Sequence, residues 1–496
     1  MTSPPFLNLH HVHSIPVMTE HEHTVSVPRA LPSLPKVTVG TTSIRSLKFT
    51  RLELFFNLAL TTVTSDNWHE LNFEVVSLMY GMGRHLELTP GLVVSTASRS
   101  GGRSTKLRLA DYLKSGFAGQ LGAGVAALYA RELGAVYLAH AEDVDDGTVA
   151  RLTRLYARRA PPSSSGKAPR MSTRKGDFVT VNARNEFGML EAKATAGSGK
   201  VQRFMDSSIL DGALWQIDPF VPGMIQTMST TPGTAPLGAD IQHGVVSGLN
   251  IHESPAGAAI HAIRFKLPVG HPVAGGLSGS AIATAHFRQW WRLFNLAFIN
   301  LTLPPRAIDL PILTMGSMSF VVNIPVSRDG YDMYELVSLS SSRQLMAFSL
   351  FRQEGWGTRG FWKDGYEDKP LFIAIEEGIF RQLLAVFTGR RGVREERDET
   401  GRFKPVRQPD IEATGQPEAI HSAVNRFQAQ LIEHTGLTQD EDPTGQRQVQ
   451  AWNTISSDQL GNEVVTATFR EGVMAFAGFP RGDKLIEQRF SIEAEQ

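Results

Sequence analysis

The sequence contains one stretch that decides the expected fold, Lys175–Thr195 (KGDFVTVNARNEFGMLEAKAT). Its two short apolar runs, Phe178–Val181 and Met189–Ala194, are joined by NARNEFG, and Asn and Gly are residues typical of turns. Apolar runs of this length on either side of a turn are typical of paired antiparallel strands. The stretch therefore predicts a β-hairpin that turns near Arg184–Asn185.

Three ionisable side chains lie at one end of this hairpin. Period-two geometry places Glu191 and Lys193 on the same strand face, and the turn brings Asp177 close to Glu191. Two adjacent carboxylates repel each other, and a hard divalent cation relieves that repulsion while also binding a substrate phosphate. A neighbouring lysine can hold or deprotonate the attacking water and stabilise charge on the phosphate. We therefore expect Asp177, Glu191 and Lys193 to be catalytic in metal-assisted phosphodiester hydrolysis.

These residues resemble the motif of a known family, the PD-(D/E)xK nuclease superfamily. Asp177 stands fourteen residues before Glu191-Ala192-Lys193, although Gly176 occupies the position of the family's proline. The run LEAKAT is similar to the third core strand of that fold, and the preceding helix with GQLGAG is similar to its first core helix. A helix ending near Trp215-Gln216-Ile217 resembles the second core helix, so the resemblance covers roughly residues 110–220.

The resemblance implies an α/β, restriction-endonuclease-like fold, a mixed sheet flanked by helices, here with additional α+β regions N- and C-terminal to the core. It implies a metal-dependent deoxyribonuclease, a hydrolase class that often serves restriction, repair or phage defence, with Mg²⁺ (or Mn²⁺) as cofactor. The implied ligands and catalytic lysine are Asp177, Glu191, the backbone carbonyl of Ala192, and Lys193. Gln120, where many members carry a further acid, and Gln216 are implied supporting residues.

Two alternatives to this interpretation stay open. The acid missing at Gln120 also suits a catalytically inactive subunit that binds nucleic acid or protein on the same fold. A hairpin on the surface, whose Glu and Lys form only a cross-strand or solvent-exposed pair, has the same sequence pattern. The tripeptide alone is weak evidence, since Glu367-Asp368-Lys369 repeats it in a polar stretch that we interpret as solvated surface.

Basic side chains cluster near the predicted core. The windows Arg99–Arg108 and 147–176 contain no acidic residue, and clustered Lys and Arg side chains bind the phosphate backbone of nucleic acids. We therefore expect DNA to contact Arg99, Arg103, Lys106, Arg154, Arg158, Arg159, Arg170, Arg174 and Lys175. The alternative is a solvated basic insertion without a ligand. Trp290 and Trp291 could stack on bases, but a helix that packs them into a core is the favoured interpretation.

Composition narrows the classes of function. The 496 residues include 49 basic and 49 acidic side chains, so a basic coat over the whole surface is excluded and DNA binding is confined to one face. The absence of cysteine excludes disulfides, thiolate nucleophiles and Cys-ligated metal centres. No apolar run is long enough to span a bilayer, and the N-terminus lacks the features of a signal peptide. We expect a cytoplasmic protein without membrane contact, with DNA and a protein of a multi-subunit system as candidate partners.

The length predicts two to four domains. The expected segments are a flexible arm (1–40), an α+β segment (41–110), the nuclease core (111–220), an α+β extension or second domain (221–388), a charged linker or insertion (389–448) and a β-hairpin segment (449–496). The Gly- and Ala-rich Ser115–Leu133 predicts a helix that packs closely against a sheet. Ser280–Leu301 and Phe372–Phe387 predict further helices, whereas residues 219–256 read as irregular.

Overall fold

The computed structural model describes residues 12–24, 45–62, 96–97, 103–104, 111–144, 177–195, 213, 241–254, 257–266, 279–295, 308–323, 371–406, 415–461, 464–477 and 487–492. The chain divides into two compact units. The first unit comprises His11–Thr64 and Tyr80–His286. The second comprises Met1–His10, Ser65–Met79 and Phe287–Gln496.

The first unit is built on a mixed β-sheet of seven described strands. The strands of this unit are β1 Val12–Thr24, β2 Arg45–Thr50, β3 Thr96–Ala97, β4 Arg103–Ser104, β5 Ala135–His140, β6 Phe178–Asn182, β7 Phe187–Thr195, β8 Ile241–Ser254 and β9 Gly257–Lys266. The sheet has the order β2-β1-β9-β8-β7-β6-β5, while β3 and β4 form a separate pair. β5, β6 and β7 are an antiparallel meander, β8 is parallel to β7, and β9 is antiparallel to β8.

Among the residues that the structure describes, three helices accompany these strands: α1 Arg51–Thr62, α2 Asp111–Glu132 and α3 Gly279–Asn295, which begins in the first unit and ends in the second. α2 contains most of the predicted helix Ser115–Leu133 and packs against β7, as its small residues predict. A Cβ atom placed on Gly122 would lie 2.6 Å from the Cβ of Ala194, and one placed on Gly124 would lie 2.6 Å from a methyl carbon of Leu58 in α1. These two glycines therefore allow α2 to approach both the sheet and its neighbouring helix.

The N-terminal segment differs from the predicted flexible arm. Residues 12–24 form β1, which pairs with β2 on one side and with β9 on the other. The prolines of this region suggested an arm, but every second side chain at the start of the strand, His13, Ile15 and Val17, is buried. This period-two burial outweighs Pro16, which stands between the two buried apolar residues.

The second unit contains an antiparallel sheet of eight described strands. They are β10 Ile308–Met315, β11 Met318–Val322, β12 Leu371–Glu376, β13 Gly392–Arg397, β14 Phe403–Pro405, β15 Val465–Phe469, β16 Val473–Ala477 and β17 Gln488–Ile492. Their order is β14-β13-β17-β10-β11-β12-β16-β15. The helices of this unit are α4 Glu377–Thr388, α5 Pro417–Thr435 and α6 Gln446–Leu460, together with the end of α3.

Residues 389–448, predicted as a charged linker or insertion, contain the regular elements β13, β14 and α5. β13 is a charged strand whose side chains find ionic partners within the unit. Arg394 contacts Glu377 at 3.2 Å, and Glu395 contacts Arg489 of β17 at 2.7 Å. The charged residues of β13 therefore form ion pairs within the second unit, and they do not mark a solvent-exposed linker.

The predicted helix Phe372–Phe387 is also only partly correct. Its first residues form β12, and the helix α4 begins at Glu377. The side chain of Glu376 marks the boundary, since its Oε2 accepts a hydrogen bond from the backbone N–H of Ile379 at 2.9 Å and so caps the helix. In a continuous apolar run, strand and helix look alike, and the boundary depends on this cap.

The hairpin predicted near the C-terminus is confirmed, although the first part of the predicted segment 449–496 forms most of helix α6. VVTATF and GVMAFA form the antiparallel hairpin β15–β16 near the C-terminus. Trp290 is fully buried in α3 and Trp291 nearly so, which supports the packing role over base stacking. The indole N–H of Trp290 donates to the buried carboxylate of Glu471 at 2.9 Å.

No helix in the described part of the chain is long and apolar enough to cross a membrane.

Glu376→Gln is expected to make the protein more stable above pH 7 than the wild type. Burial raises the pKa of Glu376 from 4.5 to about 7, so the folded state resists ionisation that the unfolded chain undergoes freely. The contribution of neutral Glu376 to the free energy of unfolding is therefore fully present below about pH 4.5 and is lost as the pH rises through 7. Gln keeps the capping oxygen without the charge, and the gain at pH 8 is at most about 3 kcal/mol. Urea unfolding at pH 5 and pH 8 measures it; an equal effect at both pH values would contradict the assignment.

Candidate active site

The loop of the β6–β7 hairpin is set by asparagines. Oδ1 of Asn182 accepts hydrogen bonds from the backbone N–H groups of Arg184 (2.9 Å) and Glu186 (3.0 Å). Asn185 has a φ of 58°, in the left-handed region that Asn tolerates better than most residues. The predicted turn near Arg184–Asn185 is confirmed, and it fixes the register of the two strands.

This register places Asp177 opposite Glu191. Phe178 pairs with Leu190 and Val179 with Met189, so one further step brings Asp177 level with Glu191. The backbone N–H of Asp177 donates to Oε2 of Glu191 at 3.2 Å. In return, the backbone N–H of Ala192 donates to Oδ2 of Asp177 at 2.8 Å. Each carboxylate is therefore held by the backbone of the opposite strand.

Lys193 completes the cluster. It lies two residues after Glu191 on the same face of β7, and its Nζ forms an ion pair with Oε1 of Glu191. The Glu191 side chain is fully buried, whereas 25% of the Lys193 side chain is exposed. Glu191 thus contacts both other members, and Lys193 connects the cluster to solvent. The structure brings together the three residues that the sequence singled out, while their chemical roles stay a prediction.

The environment disfavours ionisation of both acids. Burial raises the pKa of Glu191 from 4.5 to about 8; the nearby Asp177 carboxylate adds to the increase and Lys193 opposes it. Burial also raises the pKa of Asp177, against the lowering effects of Lys193 and of the Ala192 N–H group. A single ammonium group therefore offsets only part of the cost of two buried negative charges. An additional cation at this position would relieve the remainder.

The donor set fits a hard divalent cation. Asp177 and Glu191 supply carboxylate oxygens from neighbouring strands. The C=O of a strand residue points to the same side as its N–H, so the carbonyl of Ala192 lies on the side of Asp177. Oxygen donors of these two kinds are the ligands that Mg²⁺ and Mn²⁺ prefer. Among the described residues, this site included, no group of three or more His, Cys, Asp or Glu side chains could hold a metal ion, so the two acids would need the backbone carbonyl or solvent as further ligands.

Only two of the other predicted site residues, Gln120 and Arg103, lie in the part of the chain that the structure describes. Gly122 is the position where α2 meets β7, and Gln120 lies two residues earlier, about 200° around the helix. Ala194, the residue that Gly122 meets, lies on the opposite face of β7 from Glu191 and Lys193, so α2, which carries Gln120, packs on the other face of the sheet from these two side chains. Arg103 lies in β4, paired with β3. The remaining candidates lie outside the described residues: Gln216, Arg99, Lys106, Arg154, Arg158, Arg159, Arg170, Arg174 and Lys175.

One neighbour of the cluster was missed by sequence reasoning. Lys193 pairs with Gly248 of β8, which pairs with His261 of β9. Residues in register share a sheet face, so the buried His261 lies on the face of Lys193 with a side-chain-free position between them. His261 was inside a predicted strand, but β8 falls in the region 219–256 that reads as irregular. Without β8, no sequence signal could place His261 near the site.

Comparisons with protein-family models, with curated proteins and with solved structures found no match to this chain. The function therefore has to be argued from the geometry and chemistry of the site. The relevant features are the facing acids Asp177 and Glu191 and the ion-paired Lys193.

Proposed function

We propose that the chain is a metal-dependent nuclease that hydrolyses DNA phosphodiester bonds. One observation carries this proposal: Asp177 and Glu191 face each other across two paired strands, and Lys193 contacts Glu191. Two carboxylates and a lysine in this arrangement are sufficient for metal-assisted phosphodiester hydrolysis. The same three residues carry the resemblance to the PD-(D/E)xK superfamily.

The architecture around the site supports the proposal. α2 precedes the meander β5–β6–β7 and packs against β7, and β8 adds a strand parallel to β7. This is a mixed sheet covered by a helix on one face, as the resemblance to a restriction-endonuclease-like core implies. On the other face of the sheet, the ring of His286 in α3 contacts the ring of Tyr137 in β5, and the ring centroids are 5.8 Å apart.

In this proposal, Asp177, Glu191 and the Ala192 carbonyl hold the metal ion, Mg²⁺ or Mn²⁺. A bound divalent cation polarises the phosphodiester group and lowers the pKa of a coordinated water. The backbone N–H groups of Asp177 and Ala192 orient the two carboxylates, so little reorganisation is needed when they act. The ammonium group of Lys193, whose side chain is partly exposed, stabilises negative charge that develops on the phosphate.

DNA is the substrate that the charge distribution favours. The windows Arg99–Arg108 and 147–176 lack acids and flank α2 and β5 in the chain. Contacts from such windows to the phosphate backbone do not depend on base sequence, so they position the duplex rather than select a site. Because the whole chain has no formal net charge, this interaction is confined to part of its surface.

Removal of divalent metal is expected to abolish cleavage of plasmid and linear DNA by the purified protein. Activity in Mg²⁺ or Mn²⁺ should disappear in EDTA and return when the metal is restored in excess, because the proposed hydrolysis requires a divalent cation bound to the two acids. Agarose electrophoresis of both substrates over time provides the measurement. Cleavage that persists in EDTA, or no cleavage with either metal, would contradict the proposal.

A non-catalytic subunit that binds nucleic acid or protein is the second candidate function. The observation that favours it is that α2, which carries Gln120 where the resembled family has an acid, packs at Ala194 on the face of β7 opposite Glu191 and Lys193. For such a subunit, a DNA mobility shift should persist in EDTA and no metal should give cleavage. Metal-dependent cleavage would exclude it.

A further inference from the structure

The contact between Lys193 and Glu191 joins two groups to which the proposed function gives separate roles. Glu191 is a metal ligand in that proposal, and its Oε1 is occupied by the ammonium group of Lys193. Its Oε2 accepts from the backbone N–H of Asp177. Both oxygens of the buried carboxylate are therefore engaged in the structure described.

We propose that Lys193 sets the affinity of the site for divalent cations by competing with them for Glu191. This inference rests on the proposed function. It adds that the lysine is an internal counter-ion of the metal-free protein, released towards the substrate when a divalent cation takes its place.

The competition follows from which partner of Glu191 can move. The N–H of Asp177 belongs to the backbone at the start of β6 and stays in place, whereas Lys193 contributes a flexible four-carbon stem. A cation that binds Oε1 has to replace the ammonium group, and it also repels that group electrostatically. The free energy of the ion pair is therefore subtracted from the free energy of metal binding.

The Lys193 side chain also has room to move away from Glu191. A quarter of its side chain is exposed, so its ammonium can regain water contacts after leaving Glu191. The adjacent position in the sheet is Gly248, whose lack of a side chain leaves that direction unobstructed by a Cβ substituent. The released ammonium remains on the same face as the acids, where a phosphate bound to the metal would attract it. One movement therefore exchanges a contact within the protein for a contact with substrate.

Lys193→Met is expected to bind Mn²⁺ about tenfold more tightly than the wild type in isothermal titration calorimetry without DNA. The variant removes the competing charge and keeps the length of the aliphatic stem. Lys193→Gln should act in the same direction, and it retains a hydrogen-bond donor for Glu191 in case Lys193→Met does not fold. Lys193→Arg keeps the positive charge and should bind like the wild type. Lys48→Met, at an exposed lysine of β2, is the matched control and should also leave the affinity unchanged.

Several outcomes would overturn the inference. These are Mn²⁺ affinities of Lys193→Met and Lys193→Gln that equal or fall below the wild-type value, or an absence of Mn²⁺ binding in every variant. A DNA cleavage assay on the wild type separates this failure from that of the proposed function. If the wild type cleaves DNA in Mn²⁺ and the affinities do not change, only the competition is wrong. If the wild type neither binds Mn²⁺ nor cleaves DNA, the proposed function fails with it.

Discussion

Glu191→Gln is expected to lower the rate of metal-dependent DNA cleavage at least about 100-fold while the protein remains folded. Gln has nearly the same volume and keeps an oxygen that can accept from the Asp177 N–H group. It removes the negative charge that both the metal and Lys193 require. Loss of even one group that supports or aligns a metal or transition-state charge costs 10- to 1,000-fold, and Glu191 contacts both other members of the cluster.

The measurement is the initial rate of plasmid nicking at a fixed Mg²⁺ concentration, with circular dichroism and thermal melting of each variant as the test of folding. Because ionised Glu191 is costly to bury, the melting temperature of Glu191→Gln should equal or exceed that of the wild type. A lost activity with an unchanged or higher melting temperature separates a chemical role from a structural one.

The chain provides its own matched control for this experiment. Glu367-Asp368-Lys369 has the same Glu-x-Lys spacing, but no strand pattern surrounds it and no acid stands fourteen residues upstream. Glu367→Gln is therefore expected to leave the cleavage rate unchanged. Wild-type activity in Glu191→Gln, or an equal loss in Glu367→Gln, would show that the hairpin acids do not perform the reaction.

The site was predictable because its geometry is local. A turn made by Asn182 and Asn185 and a period of two residues are enough to place Asp177 opposite Glu191, and both are visible in Lys175–Thr195. The direction of the pKa changes was not visible, because it depends on burial. Burial depends on how the rest of the first unit packs around the hairpin, which a local pattern does not record.

The rest of the first sheet was not predictable in the same way. β8 contains Gly244 and Gly248 and follows a Gly- and Pro-rich region, so its composition resembles that of a loop. β1 contains Pro16. Each strand pairs with a partner far away in sequence: β8 with β7, and β1 with β9. Strand propensity depends strongly on such packing, which no local pattern records.

In the second unit, sequence patterns failed to predict the boundary between a strand and a helix and the role of a charged segment. In LFIAIEEGIFRQLLAVF, apolar residues continue from β12 into α4, and only the cap by Glu376 divides strand from helix. In β13, the charged residues suggest a linker until their partners are known. Arg394 reaches Glu377 of α4, a residue 17 positions earlier in the chain, so the ion pairs that neutralise the strand are themselves a product of the fold.

Gly122→Ala is expected to destabilise the first unit by about 1–3 kcal/mol, although alanine normally favours a helix. The added Cβ would lie 2.6 Å from the Cβ of Ala194 and 3.3 Å from the carbonyl oxygen of Lys193. Neither atom is the end of a flexible side chain, so α2 or β7 has to move. Because β7 carries Glu191 and Lys193, the same displacement should lower the cleavage rate.

Gly119→Ala, in the same helix, gives the opposite expectation and is the matched control. Gly119 is exposed, and a Cβ atom placed there meets no atom within 4 Å. The substitution should therefore stabilise the protein by up to about 1 kcal/mol through helix propensity alone and leave cleavage unchanged. Urea unfolding of both variants measures the difference. Equal shifts in the same direction would mean that α2 does not contact β7 at Gly122, and the packing of the helix against this strand would have to be abandoned. Opposite shifts, with a slower cleavage rate in Gly122→Ala alone, would tie the packing of α2 to the alignment of the acids.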